Sequence, residues 1–382
     1  MVRCGVCPKM LLITSLICLS ETRASTIYTV TDLGSLGGTS AALALNDSGL
    51  AVGYSVSERG DLSATSFRDH TASALGFDGQ ANAVNNNGVV AGASWSSGHA
   101  QAVTWTDGQL VNLPGLGGSA SYAASINAFG QVAGSASLSN GTAHAVVWLN
   151  GRVSDLGTLG ADWSAAMSIN GSGQSTGTSL MGDGAFEAFF APSTGSMRAI
   201  GTLGGRSSYG MDMNENGEVV GSAQTAAGYS HAFSWTADGL RDLGTLGGTQ
   251  SYAYGVNNSG AVVGYSYTAD GSTHGLLYSD GVLLDLNGLL PISSGWTVTE
   301  AFAINDAGVI AGIGLHNGVE HAVLLTPNVF GDSPQGHASS NATPEPRESG
   351  LFGLGLVLVG CLSALARLAR RIAARVPPQS LN

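Results

Sequence analysis

Residues 121–157 read SYAASINAFGQVAGSASLSNGTAHAVVWLNGRVSDLG. An apolar run, SYAASIN (121–127), meets Asn-x-x-Gly and returns as QVAGSAS (131–137). Asn suits the start of a tight turn, and Gly accepts the left-handed backbone that a hairpin bulge needs. HAVVW (144–148) reads as a third strand and GRVSDLG (151–157) as a fourth. Four short strands within a period of about 40–45 residues match one blade of a β-propeller.

The same unit recurs on both sides. Its anchor asparagine falls at Asn46, Asn85, Asn127, Asn170, Asn214, Asn257 and Asn305, at spacings of 39, 42, 43, 44, 43 and 48. A glycine follows each anchor three residues on (Gly49, Gly88, Gly130, Gly173, Gly217, Gly260, Gly308). Another follows seven residues on (Gly53, Gly92, Gly134, Gly177, Gly221, Gly264, Gly312). Residues 25–330 show no sustained helical periodicity, which disfavours a βαβ fold. The expected fold is all-β, a seven-repeat propeller. The chain opens on IYTVTDLG (27–34), a spare fourth strand, and its last unit stops at HAVLL (321–325), a third strand. Pairing the two would close the ring and remove the exposed sheet edges that invite aggregation. An open β-solenoid would not require this complementarity.

Composition narrows the function. Charged residues make up 10 % of the chain, against roughly 25 % in an average soluble domain. Residues 25–346 hold six arginines and no lysine against 17 Asp and 7 Glu, which leaves a formal charge of −18. No basic face can be built to displace counterions from a phosphate backbone, so nucleic acid is excluded as a partner. Cys4, Cys7 and Cys18 lie near the N-terminus and Cys361 in the C-terminal apolar segment. The repeat region therefore has neither a disulfide framework nor a cysteine metal site.

The ends read as targeting segments. Residues 1–24 carry Arg3 and Lys9, an apolar core from Met10 to Leu19, and Thr22 and Ala24 before Ser25. This is the pattern of a signal peptide cut between Ala24 and Ser25, with an uncleaved anchor as the alternative. After a polar linker (331–343) come Pro344, Glu345 and Pro346, then an apolar stretch from Leu351 to Ala366. Arg367, Arg370, Arg371 and Arg375 follow it, and 376–382 form a short tail. The 351–366 stretch is expected to be a transmembrane helix, its arginines snorkelling and held in the cytoplasm.

The Pro-Glu-Pro triplet, apolar span and basic cluster of residues 344–375 resemble the PEP-CTERM sorting signal of Gram-negative bacteria. The resemblance implies an exosortase-type partner, with Pro344, Glu345 and Pro346 as its recognition element. A plain C-terminal anchor with an accidental triplet is the alternative. The tail runs on to VPPQSLN, beyond the usual stop. The strings HAFSW (231–235), HAVVW (144–148), DLGTLGG (242–248) and GTLGG (201–205) resemble the HAF repeat family of bacterial extracellular proteins. That family carries no settled activity. Units one and two depart from it: ATSFRD (64–69) lacks the His and SALGFDG (73–79) the Leu-Gly-Gly string.

Candidate chemistry was weighed against the repeat. The LGTLGG strings lack the helix and lysine of a phosphate loop and read as a glycine corner at strand four. His99, His144, His231, His274 and His321 recur once per unit and read as bonded to a turn, since a ring holds them too far apart to share a metal. The Asn-x-x-Gly turns hold too few carboxylates for calcium. Asp155, Asp242 and Asp285 fill one repeat position. Asp183, Glu187, Glu300 and Glu320 are off-pattern acids able to form the carboxylate pair that glycoside hydrolysis needs. Trp105, Trp148 and Trp235 sit on a repeat strand and read as core. Trp95, Trp163 and Trp296 lie elsewhere. Tyr122, Tyr209 and Tyr252 follow the Gly-Gly string. Rim aromatics suit sugar rings, and blade-to-blade packing is the alternative. No residue reads as catalytic, and no cofactor or metal is implied. The expected protein is exported, surface- or matrix-associated, and binds extracellular polysaccharide or a matrix protein without catalysis. A polysaccharide hydrolase or lyase and a purely structural matrix component are the alternatives.

Overall fold

The computed structural model describes residues 27–95 and 98–328. The expected cleavage-site residues Ala24 and Ser25, the 331–343 stretch, the Pro344-Glu345-Pro346 triplet and the 351–366 stretch lie outside the described residues. Among the described residues no helix is long and apolar enough to cross a membrane.

The repeats fold as four-stranded antiparallel meanders. Blade 3 comprises Gly117–Ile126, Val132–Leu138, Ala143–Leu149 and Arg152–Asp155, within a few residues of the expected strands. Blades 4, 5 and 6 repeat this arrangement, beginning at Ser164, Gly204 and Gly247. Blades 1 and 2 share one strand, Thr71–Val84, whose first half pairs with Leu62–Arg68 and whose second half pairs with Val90–Ser94. This is where SALGFDG replaces the usual Leu-Gly-Gly string: the chain passes between blades without breaking its strand. A short 3-10 helix, Leu286–Leu289, precedes blade 7 and accounts for the long final spacing.

Blade 7 is closed by the N-terminal strand. Ile27–Asp32 pairs antiparallel with Val319–Asn328, from Ile27 opposite Asn328 to Asp32 opposite Val323. Tyr28 and Leu33 are buried there, and Leu33 N–H donates to the Ala322 carbonyl at 3.0 Å.

The anchor asparagines do more than make turns. In each, Oδ1 accepts the backbone N–H groups that cap the turn; Asn85 takes those of Asn87 and Val89, both at 3.0 Å. The amide Nδ2 donates to the carbonyl of the next anchor: Asn46 to Asn85, Asn85 to Asn127, Asn127 to Asn170, and Asn170 to Asn214. Asn214 then donates to Asn257, Asn257 to Asn305, and Asn305 back to Asn46. The anchors are 2–6 % exposed, so the belt is buried and each bond has little competition from water. A belt that returns to its origin requires a closed ring.

The two glycine series have different causes. Those three residues after the anchor adopt φ between 73° and 82°, the left-handed region. Those seven residues after it lie against a bulge in the first strand, where an added Cβ would stand 1.9–2.1 Å from a carbonyl oxygen. The Gly-Gly pairs open the first strand of the next blade at Gly117, Gly204 and Gly247, with φ of 96° to 102°. The glycine corner thus belongs to strand one, not strand four as expected.

Blades are also sewn together by serines. Ser121, Ser164, Ser208, Ser251 and Ser40 accept the N–H of Ala102, Ala145, Ala188, Ala232 and Ala322 of the preceding blade at 2.8–3.0 Å. The last of these crosses the seam between blades 7 and 1. Trp148, 1 % exposed, is core, and its Nε1 donates to the Pro114 carbonyl at 2.7 Å.

Candidate functional site

In such a meander the first and third turns emerge at one end of the blade. The second turn and the connection to the next blade emerge at the other. The asparagine belt therefore occupies one face, and the second turns and Leu-Gly-Gly connections occupy the opposite face. The candidate chemistry gathers on that opposite face.

Four histidines stand at the start of the third strand and bond an aspartate at the end of the fourth. His144 Nδ1 lies 2.9 Å from Asp155, His231 2.9 Å from Asp242, His274 2.7 Å from Asp285, and His321 3.0 Å from Asp32 of the N-terminal strand. The partner is a neighbouring-strand carboxylate, not a turn as expected. The aspartate's other role is local: Asp155, Asp242 and Asp32 each accept a glycine N–H two residues on at 2.8 Å, and Asp285 that of Asn287. His99 does not share the site, because Gln101 fills that register position in blade 2. Bonding to Asp285 raises the His274 pKa above its ordinary value against the opposing effect of burial. For Asp285 burial opposes ionisation, but the bonds from His274 and Asn287 outweigh it and hold the carboxyl low. Among the described residues no three of His, Asp, Glu or Cys come together to hold a metal ion.

The off-pattern acids fall two to a blade, Asp183 and Glu187 in blade 4 and Glu300 and Glu320 in blade 7. In blade 4, Glu187 fills the register position of the histidine, opposite Ser179 as His274 is opposite Ser266. The aspartate position falls to Ala199, so Glu187 has no matching partner. Burial, then the charge of Asp183, raises its pKa. Next to it in the strand, Phe186 meets Trp163 edge-on at 5.6 Å and stacks on Tyr209 of blade 5 at 5.9 Å. Arg206 donates to the Asp183 carbonyl oxygen at 2.9 Å.

In blade 7, Glu300 occupies the first-strand position held by Tyr122 and Tyr252 elsewhere. It is part-buried, and burial followed by the charge of Glu320 pushes its pKa up to about 7. Burial raises the pKa of Tyr254, Tyr265 and Tyr267 of blade 6, and the charge of Glu300 adds to it. Tyr252 stacks on Tyr265 at 4.9 Å, and Tyr254 lies 5.6 Å from Tyr265 and 5.5 Å from Phe302. Trp296 stacks on His316 at 4.7 Å and meets His321 edge-on at 5.5 Å.

Asp212 is the instructive contrast. Burial also raises its pKa, but its oxygens accept Ser168 Oγ at 2.7 Å and Val256 N–H at 3.0 Å, binding blades 4, 5 and 6 together. It is a structural carboxyl with its bonds filled. The tyrosine cluster of blade 6 and Asp212 escaped sequence reading. Glu187 was legible in one way: it lies 17 residues after Asn170, as His144 does after Asn127 and His274 after Asn257.

No protein family matches the chain, and no curated protein sequence is similar to it. Solved structures resemble it in fold. A puromycin-hydrolyzing peptidase from Mycobacterium tuberculosis has a TM-score of 0.50 at 12 % identity, over 79 % of this chain and 55 % of that one. A gluconolactonase from Xanthomonas campestris gives 0.40 at 12 % identity, over 80 % and 92 %. A lectin from Burkholderia pseudomallei gives 0.38 at 10 % identity, over 78 % and 98 %. The chain spans about half the length of the peptidase. Identities this low speak to fold alone. The chain is an all-β protein built from propeller-like four-stranded sheets.

Proposed function

We propose that this is an exported, surface- or matrix-associated repeat protein that binds extracellular polysaccharide through the face opposite its asparagine belt. The export and sorting parts of this reading rest on the signal-peptide pattern and on the likeness of residues 344–375 to a PEP-CTERM signal. The family likeness rests on the HAF strings. The observation that carries binding is the run of aromatic rings across blades 6 and 7, Tyr252, Tyr254, Tyr265 and Phe302, in blades that also carry Glu300 and Glu320. Flat rings pack on the apolar faces of sugars, while carboxyls accept bonds from their hydroxyls.

A second reading, a polysaccharide hydrolase, is favoured by Glu300 alone. A carboxyl raised to about 7 beside a second carboxyl, Glu320, has the character of a general acid. One experiment separates the two. The purified full chain is incubated with the polysaccharide of its own host, and retained protein and new reducing ends are both measured. Retention without release supports binding and sinks the hydrolase. Release that disappears in Glu300→Gln makes the protein an enzyme. Absence of both defeats the glycan reading and moves the weight to a structural matrix role.

A further inference from the structure

The first strands of successive blades touch one another all round the ring, so the fourth strands form its outer flank. One fourth-strand position breaks the repeat there. Arg198 in blade 4 stands opposite Phe190, and Arg241 in blade 5 opposite Ser234, each partner three residues beyond the histidine position. The other five blades place Ser73, Val111, Ser154, Leu284 and Thr31 there. The two guanidinium groups make the same contact with the next blade. Arg198 lies over the Trp235 ring at 5.3 Å, and over Phe190 of its own blade at 4.9 Å. Arg241 lies over the Tyr278 ring at 5.4 Å. Both arginines are exposed, and among the described residues neither donates a hydrogen bond nor joins an ion pair. Asp242, next to Arg241 in sequence, is held instead by His231 at 2.9 Å and by the Gly244 N–H at 2.8 Å.

Packing does not demand these arginines. Trp148, Trp235 and Tyr278 share one position on the third strand, opposite Val132, Val219 and Val262. Trp148 is buried with Val111 in the arginine's place, and its Nε1 donates to Pro114. Tyr278 is 9 % exposed, and its hydroxyl is buried with no partner among the described residues. A buried hydroxyl left unpaired marks a polar group that the fold leaves to water or a ligand. A guanidinium stacked flat on a ring keeps its N–H edge free and pre-oriented, and that edge matches a carboxylate in two parallel hydrogen bonds.

We propose that the outer flank of blades 4–6 binds the carboxylates of a uronic-acid polysaccharide, with Arg198 and Arg241 each taking one. Two forks at one register in consecutive blades suit a polymer that carries its carboxylates at regular intervals. The part-exposed Trp235 ring adds a flat surface for a sugar. The domain's negative charge does not forbid this, because it is screened over about 8 Å in physiological salt while the paired groups meet at about 2.8 Å. The site lies on the flank, not on the face opposite the asparagine belt, and goes beyond the function proposed above.

The test is calorimetric titration of the full chain at neutral pH with a galacturonate octamer and with its methyl ester, which keeps the sugars and removes the charge. The acid should bind at least about tenfold more tightly, the worth of one charge-assisted hydrogen bond. Arg198→Gln and Arg241→Gln should each cost about tenfold, and together should erase the preference. Arg241→Lys keeps a cation over Tyr278 but not the fork, so it should melt as the wild type does and still lose affinity. Arg59→Gln, at an exposed arginine in the second turn of blade 1, should change nothing. Equal binding of acid and ester, no binding of either, full affinity in Arg241→Lys, or an equal loss in Arg59→Gln overturns the proposal. So does a glutamate octamer held more tightly than the galacturonate octamer through the same arginines.

Discussion

Replacing Asn85 by Asp separates the turn from the belt. Asp can accept the N–H groups of Asn87 and Val89 as Asn does, so the Asx turn survives. What it loses is the Nδ2 donor to the Asn127 carbonyl at 3.0 Å. In its place a carboxylate oxygen would face a carbonyl oxygen at a position 6 % exposed. The missing hydrogen bond is worth about 1 kcal/mol, and partial burial of an unpaired charge adds about 2 kcal/mol or more. A loss of roughly 3 kcal/mol corresponds to about 6 °C in melting temperature for a domain of this size. Thermal unfolding followed by far-ultraviolet circular dichroism at neutral pH reads it. Asn305→Asp should cost a similar amount, although its bond runs to Asn46 across the seam, 259 residues away in sequence. If either variant unfolds within about 1 °C of the wild type, the belt contributes nothing and the asparagines are explained by turn chemistry alone.

Further outcomes follow from the same structure. Deleting residues 25–34 removes Tyr28 and Leu33 from the core and leaves Val319–Asn328 unpaired; burial of two such side chains is worth about 4 kcal/mol, so a fall in melting temperature of at least about 8 °C and a tendency to aggregate are expected. Gly134→Ala would place a Cβ 1.9 Å from the Tyr122 carbonyl oxygen, and denaturant unfolding should show a loss of about 3 kcal/mol. His274 has a raised pKa and Asp285 a lowered one. The histidine's contribution is lost as pH rises through its folded value, and the aspartate's as pH falls through its own. The stability difference between the wild type and His274→Gln should therefore be greatest near pH 5 and shrink on either side. Glu300, held near 7 against an ordinary 4.5, is favoured in its neutral form. Wild-type stability should drop relative to Glu300→Gln by about 3 kcal/mol as pH rises from 4 to 8, and a flat difference would contradict the burial argument.

The blade count and the closing strand were legible because they rest on backbone needs that recur in sequence. A left-handed turn demands Gly, and a bulge carbonyl excludes a Cβ, so both series appear at fixed offsets from the anchor. The belt was not legible. Asn at a turn start is explained locally, and nothing in one chain's sequence shows that its free amide reaches the next repeat. The His–Asp pairs were half legible: both partners were seen to recur, but their antiparallel register was needed to bring them together. His99 misled because its composition fits the pattern while its register does not. The tyrosine cluster of blade 6 was hidden because Tyr254, Tyr265 and Tyr267 look like ordinary strand residues until the strand register brings their rings together.

The places where the repeat is broken deserve the functional weight. A position kept by symmetry is explained by symmetry: the histidine holds its aspartate, and the aspartate closes its glycine corner. Blade 4 gives up that pair, placing Glu187 opposite Ser179 with Ala199 where the aspartate would stand. Blade 7 keeps the pair through Asp32 and carries Glu300 at a first-strand position that is Tyr in blades 3, 5 and 6 and Ala or Gln in blades 1, 2 and 4. Both carboxyls are part-buried, and in both burial raises the pKa. If blade 4 is a second, weaker subsite, Glu187→Gln should lower affinity for long glycan chains while leaving that for short oligomers, bound at Glu300 alone, unchanged. Equal loss for both lengths would show that the two blades are not successive subsites of one bound chain.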